Sequence, residues 1–252
     1  MNTPRLTVHA LDFAYGRRTV LRDLELEASG GQLVALVGPN AAGKSTLLRC
    51  LAGLATPTGG GAVLDGRPIH RLGRRARARR IAYVAQRPEV TAAYPVEELV
   101  ALARYATGPA PRRVREALEA MALSELRARP WHTLSAGQQQ RVAVARALAQ
   151  LDEPGLLVLD EPIASMDLPH ALLTLHRLRA AAAAGHLVVT ALHDLSLTAA
   201  FADTAWLLDH GRVAAAGPAA QVLRPEMLEV VFGVPFQRHG PCLFPVLEPA
   251  PA

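Results

Sequence analysis

Residues 33–45 read Leu-Val-Ala-Leu-Val-Gly-Pro-Asn-Ala-Ala-Gly-Lys-Ser, and this stretch decides the fold. Its first five residues form a continuous apolar run, which predicts a strand buried on both faces of a parallel sheet. The next eight, residues 38–45, match G-x-x-x-x-G-K-[ST], a loop whose backbone N–H groups cradle phosphate at a helix N-terminus. Because a helix is expected from Thr46 onward, the order strand, loop, helix predicts a P-loop nucleotide site in an α/β fold.

The loop contains the first set of candidate nucleotide-binding residues. Lys44 is expected to reach the β- and γ-phosphates, and the Ser45 hydroxyl is expected to ligate Mg²⁺. Lys44 is also the only lysine of a chain that contains 26 arginines, which indicates that a compact ammonium group is needed there. The candidates in and beside the loop are Gly38, Asn40, Ala42, Gly43, Lys44, Ser45 and Thr46.

Two later apolar runs end in polar residues that suit phosphate chemistry. Residues 156–159 lead into Asp160 and Glu161, and residues 187–192 lead into His193. Because ligands bind beyond the carboxyl ends of parallel strands, Lys44 and these three side chains should meet at one sheet edge. Asp160 suits the Mg²⁺-oriented carboxylate of P-loop NTPases, and Glu161 is placed to polarise the attacking water. An isolated Asp-Glu pair would more often be turn or helix-cap chemistry, but the P-loop favours catalysis.

The rest of the chain predicts two additions to this core. Residues 23–28 alternate charged and apolar side chains, and with residues 6–15 they predict an antiparallel sheet near the N-terminus. The stretch 92–148 is expected to be mostly helical, as an inserted subdomain. Its clearest amphipathic stripe is Val114, Ala117, Leu118 and Met121.

These elements predict one domain over residues 1–252. Its core, with the N-terminal β subdomain, is expected at about 1–90 and 151–232. The helical subdomain is expected at about 91–150, and residues 233–252 form a proline-rich tail expected to lie over the surface.

Composition limits the possible setting of the protein. No window approaches the ~18 uninterrupted apolar residues of a membrane helix, and two distant cysteines suit a reducing compartment. The net charge of +5 is concentrated in an arginine tract at residues 71–80. Such a tract is most simply a solvated helix face, although a nucleic-acid patch or attraction to an anionic membrane also fits.

Residues 134–138, Leu-Ser-Ala-Gly-Gln, narrow the NTPase class because they resemble the signature motif of ABC ATPases. Read locally, Ser135 and Gln138 form a capping box that opens a helix. In the ABC family the positive N-terminus of this helix faces the γ-phosphate held by the P-loop of the other subunit. The resemblance therefore implies that Ser135, Gly137 and Gln138 bind nucleotide across a homodimer that sandwiches ATP.

Four further residues match motifs of that family. The resemblance implies that Tyr15 stacks on adenine, that Gln86 touches Mg²⁺ and senses the membrane subunit, and that Asp167 contacts the dimer partner. It also implies that His193 holds the γ-phosphate and the water. The expected catalytic set is therefore Glu161, His193, Lys44 and Gln86, the Mg²⁺ set is Ser45, Gln86 and Asp160, and the cofactors are ATP and Mg²⁺.

Three departures from the family pattern bear on activity. Ala41 replaces a P-loop glycine, and Ala136 replaces the first signature glycine. Residues 164–167 read Ala-Ser-Met-Asp, where the family usually has Ser-Ala-Leu-Asp. An added Cβ matters where the backbone needs φ > 0 or approaches phosphate closely. Because Gly38, Gly43 and Gly137 are kept, we expect slower or retuned turnover and not an inactive ATPase.

Residues 94–105, 192–195 and 222–234 resemble the importer ATPases for iron–siderophore complexes, haem and cobalamin. The resemblance implies a subunit at the cytoplasmic face of the plasma membrane, attached through integral permease subunits. An extracytoplasmic substrate-binding protein is a further implied partner, and nucleic acid is not. The alternatives are a soluble ABC ATPase of translation or DNA repair, a non-catalytic regulatory subunit, and an ATPase serving another solute or an exporter.

Overall fold

The computed structural model describes residues 3–240 and 242–246 of the chain. The strands are β1 (Arg5–Tyr15), β2 (Arg18–Ser29), β3 (Leu33–Val37), β4 (Gly59–Leu64), β5 (Arg67–Pro68), β6 (Ile81–Val84), β7 (Leu156–Asp160), β8 (Leu187–Ala191), β9 (Thr204–Asp209), β10 (Arg212–Pro218), β11 (Phe236–His239) and β12 (Cys242–Pro245). The helices are α1 (Lys44–Leu51), α2 (Arg74–Ala78), α3 (Val96–Leu102), α4 (Pro111–Ala120), α5 (Ala136–Gln150), α6 (Leu168–Ala183), α7 (Leu195–Phe201), α8 (Ala219–Val222) and α9 (Pro225–Phe232).

A six-stranded sheet forms the centre of the molecule, in the order β10-β9-β3-β8-β7-β6. The five strands from β9 to β6 are parallel, and only β10 is antiparallel to its neighbour. Every residue of β3, β7 and β8 is buried, as continuous apolar runs require when both faces of a sheet are covered. The α/β class with a mainly parallel sheet is confirmed.

A second sheet, in the order β2-β1-β4-β5, is antiparallel and carries the N-terminal residues. On β2, Leu24, Leu26 and Ala28 are buried, whereas the residues between them are exposed. The predicted alternation is therefore confirmed. The buried face packs on α1 in the same apolar cluster as Val34 and Leu36 of the central sheet.

Helices α3, α4 and α5 follow β6 and precede β7 in the sequence, and they pack together as one group. The predicted stripe Val114, Ala117, Leu118 and Met121 is buried in their shared core, although Met121 lies one residue beyond the end of α4. Trp131 and Leu134 close this core just before α5. Helix α5 also contacts β6, because the Gln150 amide donates to the carbonyls of Ala78 and Ile81 at 2.8 Å each.

The described part of the proline-rich segment, residues 233–240 and 242–246, contains more structure than its composition indicates. Strands β11 and β12 form a hairpin whose Leu243 is buried. Ser196 on α7 accepts a hydrogen bond from the Leu243 N–H at 3.1 Å, which ties the hairpin to the core. Residues 241 and 247–252 of the predicted tail lie outside the described residues. In the part of the chain that the structure describes, no helix has the length and apolarity to cross a membrane.

Candidate active site

The P-loop follows β3 and ends at the first turn of α1, and two of its glycines are sterically required. Gly43 caps α1 with φ 102°, and a Cβ at this position would lie 2.5 Å from Leu21 Cδ2. Gly38 has φ 147°, and its Cβ would lie 2.2 Å from the Leu208 carbonyl oxygen. The backbone contact at Gly38 excludes a side chain. At Gly43 the neighbour is the end of a side chain, so this glycine is required mainly by its positive φ.

The two alanine departures have different structural consequences. Ala41 adopts φ 64°, a left-handed conformation that is strained for a residue with a Cβ. Ala136 is the first residue of the right-handed helix α5, so its Cβ causes no backbone strain. At Gly137, in contrast, a Cβ would lie 2.6 Å from the Ser165 carbonyl oxygen. Of these two signature positions, position 137, which has no room for a side chain, is the one that is still a glycine.

The P-loop borders an open cleft of about 470 Å³, which we call the P-loop cleft. Tyr15 stands at its mouth, 51% exposed, with its ring edge-to-face on Phe13 at a centroid distance of 4.9 Å. A flat, exposed aromatic ring beside a phosphate loop suits stacking on a base. The cleft is lined by Tyr15, Arg18, Val20, Asn40, Ala41, Gly43, Lys44, Ser45, Thr46, Gln86 and Glu161.

Lys44 is the buried cation of this cleft. Its Nζ donates to the carbonyl oxygens of Gly38 at 2.6 Å and Pro39 at 3.0 Å. Burial lowers the pKa of Lys44, while the nearby carboxylates of Glu161 and Asp160 oppose that shift. The ammonium group is thus held at the loop by backbone dipoles and by acidic neighbours.

Asp160 ends β7 and is almost fully buried. Burial raises the pKa of its carboxyl group, and a hydrogen bond from Ser45 and the charge of Lys44 act in the opposite direction. Among the described residues, Asp160 Oδ1 has no hydrogen-bond partner. A buried carboxylate oxygen without a partner, next to a hydroxyl, is a donor set that Mg²⁺ prefers. The arrangement therefore fits the predicted Mg²⁺ site.

Glu161 lies between two of the predicted catalytic partners. The Gln86 amide donates to Glu161 Oε2 at 2.6 Å, and His193 Nε2 makes a short hydrogen bond with Oε1. The Glu161 side chain is only 13% exposed, and its backbone adopts φ 48°, an uncommon conformation of the kind found at functional sites. The fold thus brings Lys44, Asp160, Glu161 and His193 together, as the convergence of strand ends predicts. It also places Gln86, which only the family resemblance indicated, against Glu161.

The remaining predicted residues form a second, separate cleft. At the start of α5, Ser135 N–H donates to Gln138 Oε1 at 3.0 Å, and Gln138 N–H donates to Ser135 Oγ at 3.3 Å. The capping box is therefore confirmed. We call this the signature cleft; it is lined by Ser135, Ala136, Gly137, Gln138, Arg141, Ser165, Met166, Asp167 and His170. Of the residues that the structure describes, none lines both this cleft and the P-loop cleft.

Sequence reasoning missed two charged or titratable residues of the signature cleft. His170 Nδ1 lies 2.5 Å from Asp167 Oδ1, and this hydrogen bond lowers the pKa of Asp167. Arg141 is buried and donates to the carbonyls of Met121 at 2.9 Å and Ala122 at 3.0 Å. The spacing Asp167-x-x-His170 was a usable signal, because an N-cap residue commonly faces the third residue of its helix. For Arg141 the sequence contained no such signal.

Comparison with known proteins places these observations in a family context. The model of the ABC transporter family matches residues 21–164. The Hemin import ATP-binding protein HmuV of Rhodopseudomonas palustris strain HaA2 is 41% identical over 233 residues, which cover 88% of each chain. The protein of the same name from Pseudomonas aeruginosa is 42% identical, with 93% of this chain and 95% of that protein covered.

The solved structures agree with this match. One described as an inward-facing conformation of a metal-chelate type ABC transporter superposes with a TM-score of 0.78. It is 26% identical, and the match covers 97% of this chain and 98% of the other. The similarity therefore extends over nearly the whole length of both chains.

Proposed function

Because this chain belongs to the ABC transporter family and is an ATP-hydrolysing importer subunit, we propose that it drives the uptake of a metal chelate, with hemin as the first candidate. The observation that carries the choice of hemin is the identity of about 41% with hemin-import proteins over nearly their whole length. Iron–siderophore complexes and cobalamin are the other metal chelates that the sequence motifs allow.

The proposed working unit is a head-to-tail homodimer bound to integral membrane subunits. The P-loop cleft and the signature cleft are separate within one chain, and each has only part of what phosphoryl transfer needs. If two copies close on each other, each ATP lies between the P-loop cleft of one copy and the signature cleft of the other. The N-terminus of α5 then places its partial positive charge at the γ-phosphate.

Within each site, the residues have distinct proposed tasks. Lys44 neutralises charge on the β- and γ-phosphates, and Tyr15 stacks on the adenine. Ser45, Gln86 and Asp160 would hold Mg²⁺, whose chemistry there would be to neutralise charge on the phosphates. Glu161 orients the attacking water through its carboxylate oxygens.

Two groups hold the Glu161 carboxylate, and both change when nucleotide binds in this proposal. Gln86 and His193 each occupy one oxygen of Glu161 in the structure. Exchanging either of these hydrogen bonds would free a further lone pair of the Glu161 carboxylate for the attacking water. Gln86 would turn to Mg²⁺ and His193 to the γ-phosphate, so nucleotide binding itself would release the base.

The membrane subunit has a suitable docking surface in a groove beside α3 and α4, here called the docking groove. Its volume is about 560 Å³, and its exposed apolar side chains include Leu102, 48% exposed, and Tyr105, 64% exposed. Exposed aromatic and aliphatic side chains in a groove are typical of a site for a partner helix. We further propose a location at the cytoplasmic face of the plasma membrane and an extracytoplasmic protein that delivers the chelate.

The enzymatic part of the proposal is tested by Mg²⁺-dependent ATP hydrolysis of the purified chain beside Lys44→Ala, over a range of protein concentrations. We expect a rate that rises more than linearly with concentration, because the site needs two chains, and loss of activity in the variant. A linear rate from a chain that stays monomeric in Mg-ATP would contradict the shared site.

The cargo is tested in cells that lack the gene, grown with hemin, an iron–siderophore complex or cobalamin as the required nutrient. Hemin is supported as the cargo if these cells fail to grow on hemin but grow on the other two chelates. The wild-type gene should restore growth on hemin, and the Glu161→Gln variant should not. Normal growth on hemin with loss on another chelate would reassign the cargo and leave the ATPase assignment intact.

A further inference from the structure

The positive charge of the chain is concentrated in one segment. Residues 66–88, here called the basic segment, contain eight arginines and no aspartate or glutamate. The other 229 residues contain 19 cationic and 22 acidic side chains, so they are slightly negative. The net charge of +5 is therefore a property of this segment and not of the surface as a whole.

Three of the six arginines at residues 71–80 form hydrogen bonds or ion pairs within the fold. Arg77 Nη1 donates to the Gly53 carbonyl at 2.5 Å, and Arg79 Nε donates to the Ala106 carbonyl at 2.8 Å. Arg80 forms an ion pair with Asp65. These three arginines attach α2 and the start of β6 to their neighbours, which is a structural role.

Arg71, Arg74 and Arg75 remain, and we call them the arginine patch. All three are exposed. Within residues 3–240 and 242–246, none of their side chains has a hydrogen bond or an ion pair. Unpaired guanidinium groups without acidic neighbours repel one another, so the fold gains nothing from keeping them together. Such a patch suits an external anion, and guanidinium groups bind phosphate in a bidentate manner.

The position of the patch indicates which anion it meets. Tyr105, which lines the docking groove, places its hydroxyl 3.4 Å from the Arg74 carbonyl. Ala106, one residue further on, accepts the hydrogen bond from Arg79. The arginine patch therefore borders the groove that we assign to the membrane subunit.

We propose that the arginine patch binds the headgroups of anionic lipids and holds this border of the docking groove against the membrane surface. The inference rests on the proposed docking of a membrane subunit in that groove. The cytoplasmic leaflet is negatively charged, and each arginine near it contributes attraction that falls off within a Debye length. Nucleic acid is the alternative occupant: residues 66–80 contain no Phe, Tyr or Trp, but the exposed Tyr105 beside Arg74 offers a ring on which a base could stack.

The test measures co-sedimentation of the full chain with phosphatidylcholine vesicles that either contain or lack phosphatidylglycerol. The patch variant is Arg71→Gln/Arg74→Gln/Arg75→Gln. The control variant is Arg115→Gln/Arg212→Gln/Arg224→Gln, which removes the same charge from three exposed and scattered arginines. We expect wild-type and control proteins to bind only the anionic vesicles, and the patch variant to bind on the order of 100-fold more weakly. The binding should weaken with added salt.

Other outcomes would overturn the inference. Equal losses in the two variants would show that net charge alone is responsible. Undiminished binding by the patch variant would place the lipid contact elsewhere, and displacement from vesicles by RNA of equal phosphate concentration would assign the patch to nucleic acid. ATP hydrolysis measured on the same samples separates the two proposals. An active patch variant that fails to bind vesicles supports the lipid contact, whereas an inactive wild-type chain would count against the proposed function alone.

Discussion

The P-loop cleft and the signature cleft differ in how the fold builds them. The P-loop cleft is formed at the carboxyl ends of buried strands, where Lys44 and Asp160 are almost completely removed from water. The signature cleft is formed by the exposed start of α5 and the loop before α6, and its polar groups mainly cap helices. The first cleft holds charged groups at a cost in stability, whereas the second holds groups that stabilise their own helices.

This difference indicates which role each cleft has in the proposed dimer. Electrostatic interactions are stronger between buried charges, because the local dielectric is low. The rate of ATP hydrolysis is therefore expected to depend mainly on the P-loop cleft. The capped helix of the signature cleft exists before any partner arrives, so it offers a preformed anion site. Substitutions in the P-loop cleft should therefore affect turnover most, and those in the signature cleft should affect assembly and stability more.

The largest effect is expected from Glu161→Gln. The amide cannot act as a base toward water, so turnover should fall by about 10³-fold. The substitution leaves the signature cleft unchanged, and the variant should bind ATP and accumulate as a dimer. Steady-state hydrolysis and light scattering with and without Mg-ATP measure the two properties.

Glu153→Gln is the matched control, because Glu153 precedes the same strand but is exposed and lies 3.9 Å from Arg80. It should be almost wild type, since such surface pairs contribute little. A Glu161→Gln protein that stayed monomeric with ATP would refute the sandwich arrangement.

A smaller loss of activity with a gain in stability is expected from Asp160→Asn. Burial raises the pKa of Asp160, so its ionised form is less favourable in the folded protein. That cost is absent at acidic pH, where the carboxyl group is protonated, and fully present above the folded-state pKa. Removing the charge should stabilise the protein near pH 7 and lower Mg²⁺-dependent hydrolysis by about 10²-fold.

Urea unfolding of both proteins at pH 7 and in the acidic range measures this effect. The stability advantage of Asp160→Asn should shrink as the pH falls through the folded-state pKa of Asp160. An advantage that is independent of pH would mean that the ionised carboxyl is not the source of the cost.

The sequence was sufficient for the P-loop cleft because strand order converts separate motifs into neighbours. Apolar runs predicted β3, β7 and β8, and parallel strands can only deliver Lys44, Asp160 and His193 to the same edge. The bond from Gln86 to Glu161 spans 75 positions and depends on a loop conformation, which no local pattern encodes.

The signature cleft was only partly predictable for the same reason. A capping box is a local pattern, so Ser135 and Gln138 were found. Arg141 binds carbonyls at the end of α4, and its position depends on how two helices pack. The C-terminal hairpin was missed because proline composition indicates irregular structure, whereas the burial of Leu243 is a tertiary contact.

Gly137→Ala should have an intermediate effect on activity and should damage the signature cleft alone. Its Cβ would lie 2.6 Å from the Ser165 carbonyl, so the loop before α6 must shift. We expect a loss of about 1–3 kcal/mol in unfolding free energy, typical of overpacking, and roughly tenfold slower hydrolysis. ATP binding to the monomer should be unchanged, which calorimetry can measure.

Gly73→Ala provides the control for Gly137→Ala, because Gly73 has an extended backbone and its Cβ would meet no atom within 4 Å. It should leave stability and hydrolysis nearly unchanged. Weaker binding of ATP to the Gly137→Ala monomer would show that the two clefts are coupled within one chain.

The smallest effects, and the sharpest test of the comparison, are expected from restoring the family glycines. At Ala41 the left-handed backbone costs about 1–2 kcal/mol for a residue with a Cβ, and the extra entropy of unfolded glycine offsets about 0.5–1 kcal/mol. Ala41→Gly should therefore stabilise the protein by up to about 1 kcal/mol. Ala136 is already helical, so Ala136→Gly should destabilise it by up to about 1 kcal/mol. Denaturant unfolding of the two variants measures both changes. Opposite signs would show that the same replacement stores strain in the P-loop cleft and supports the helix in the signature cleft, whereas equal signs would show that residue 41 does not hold the left-handed conformation in solution.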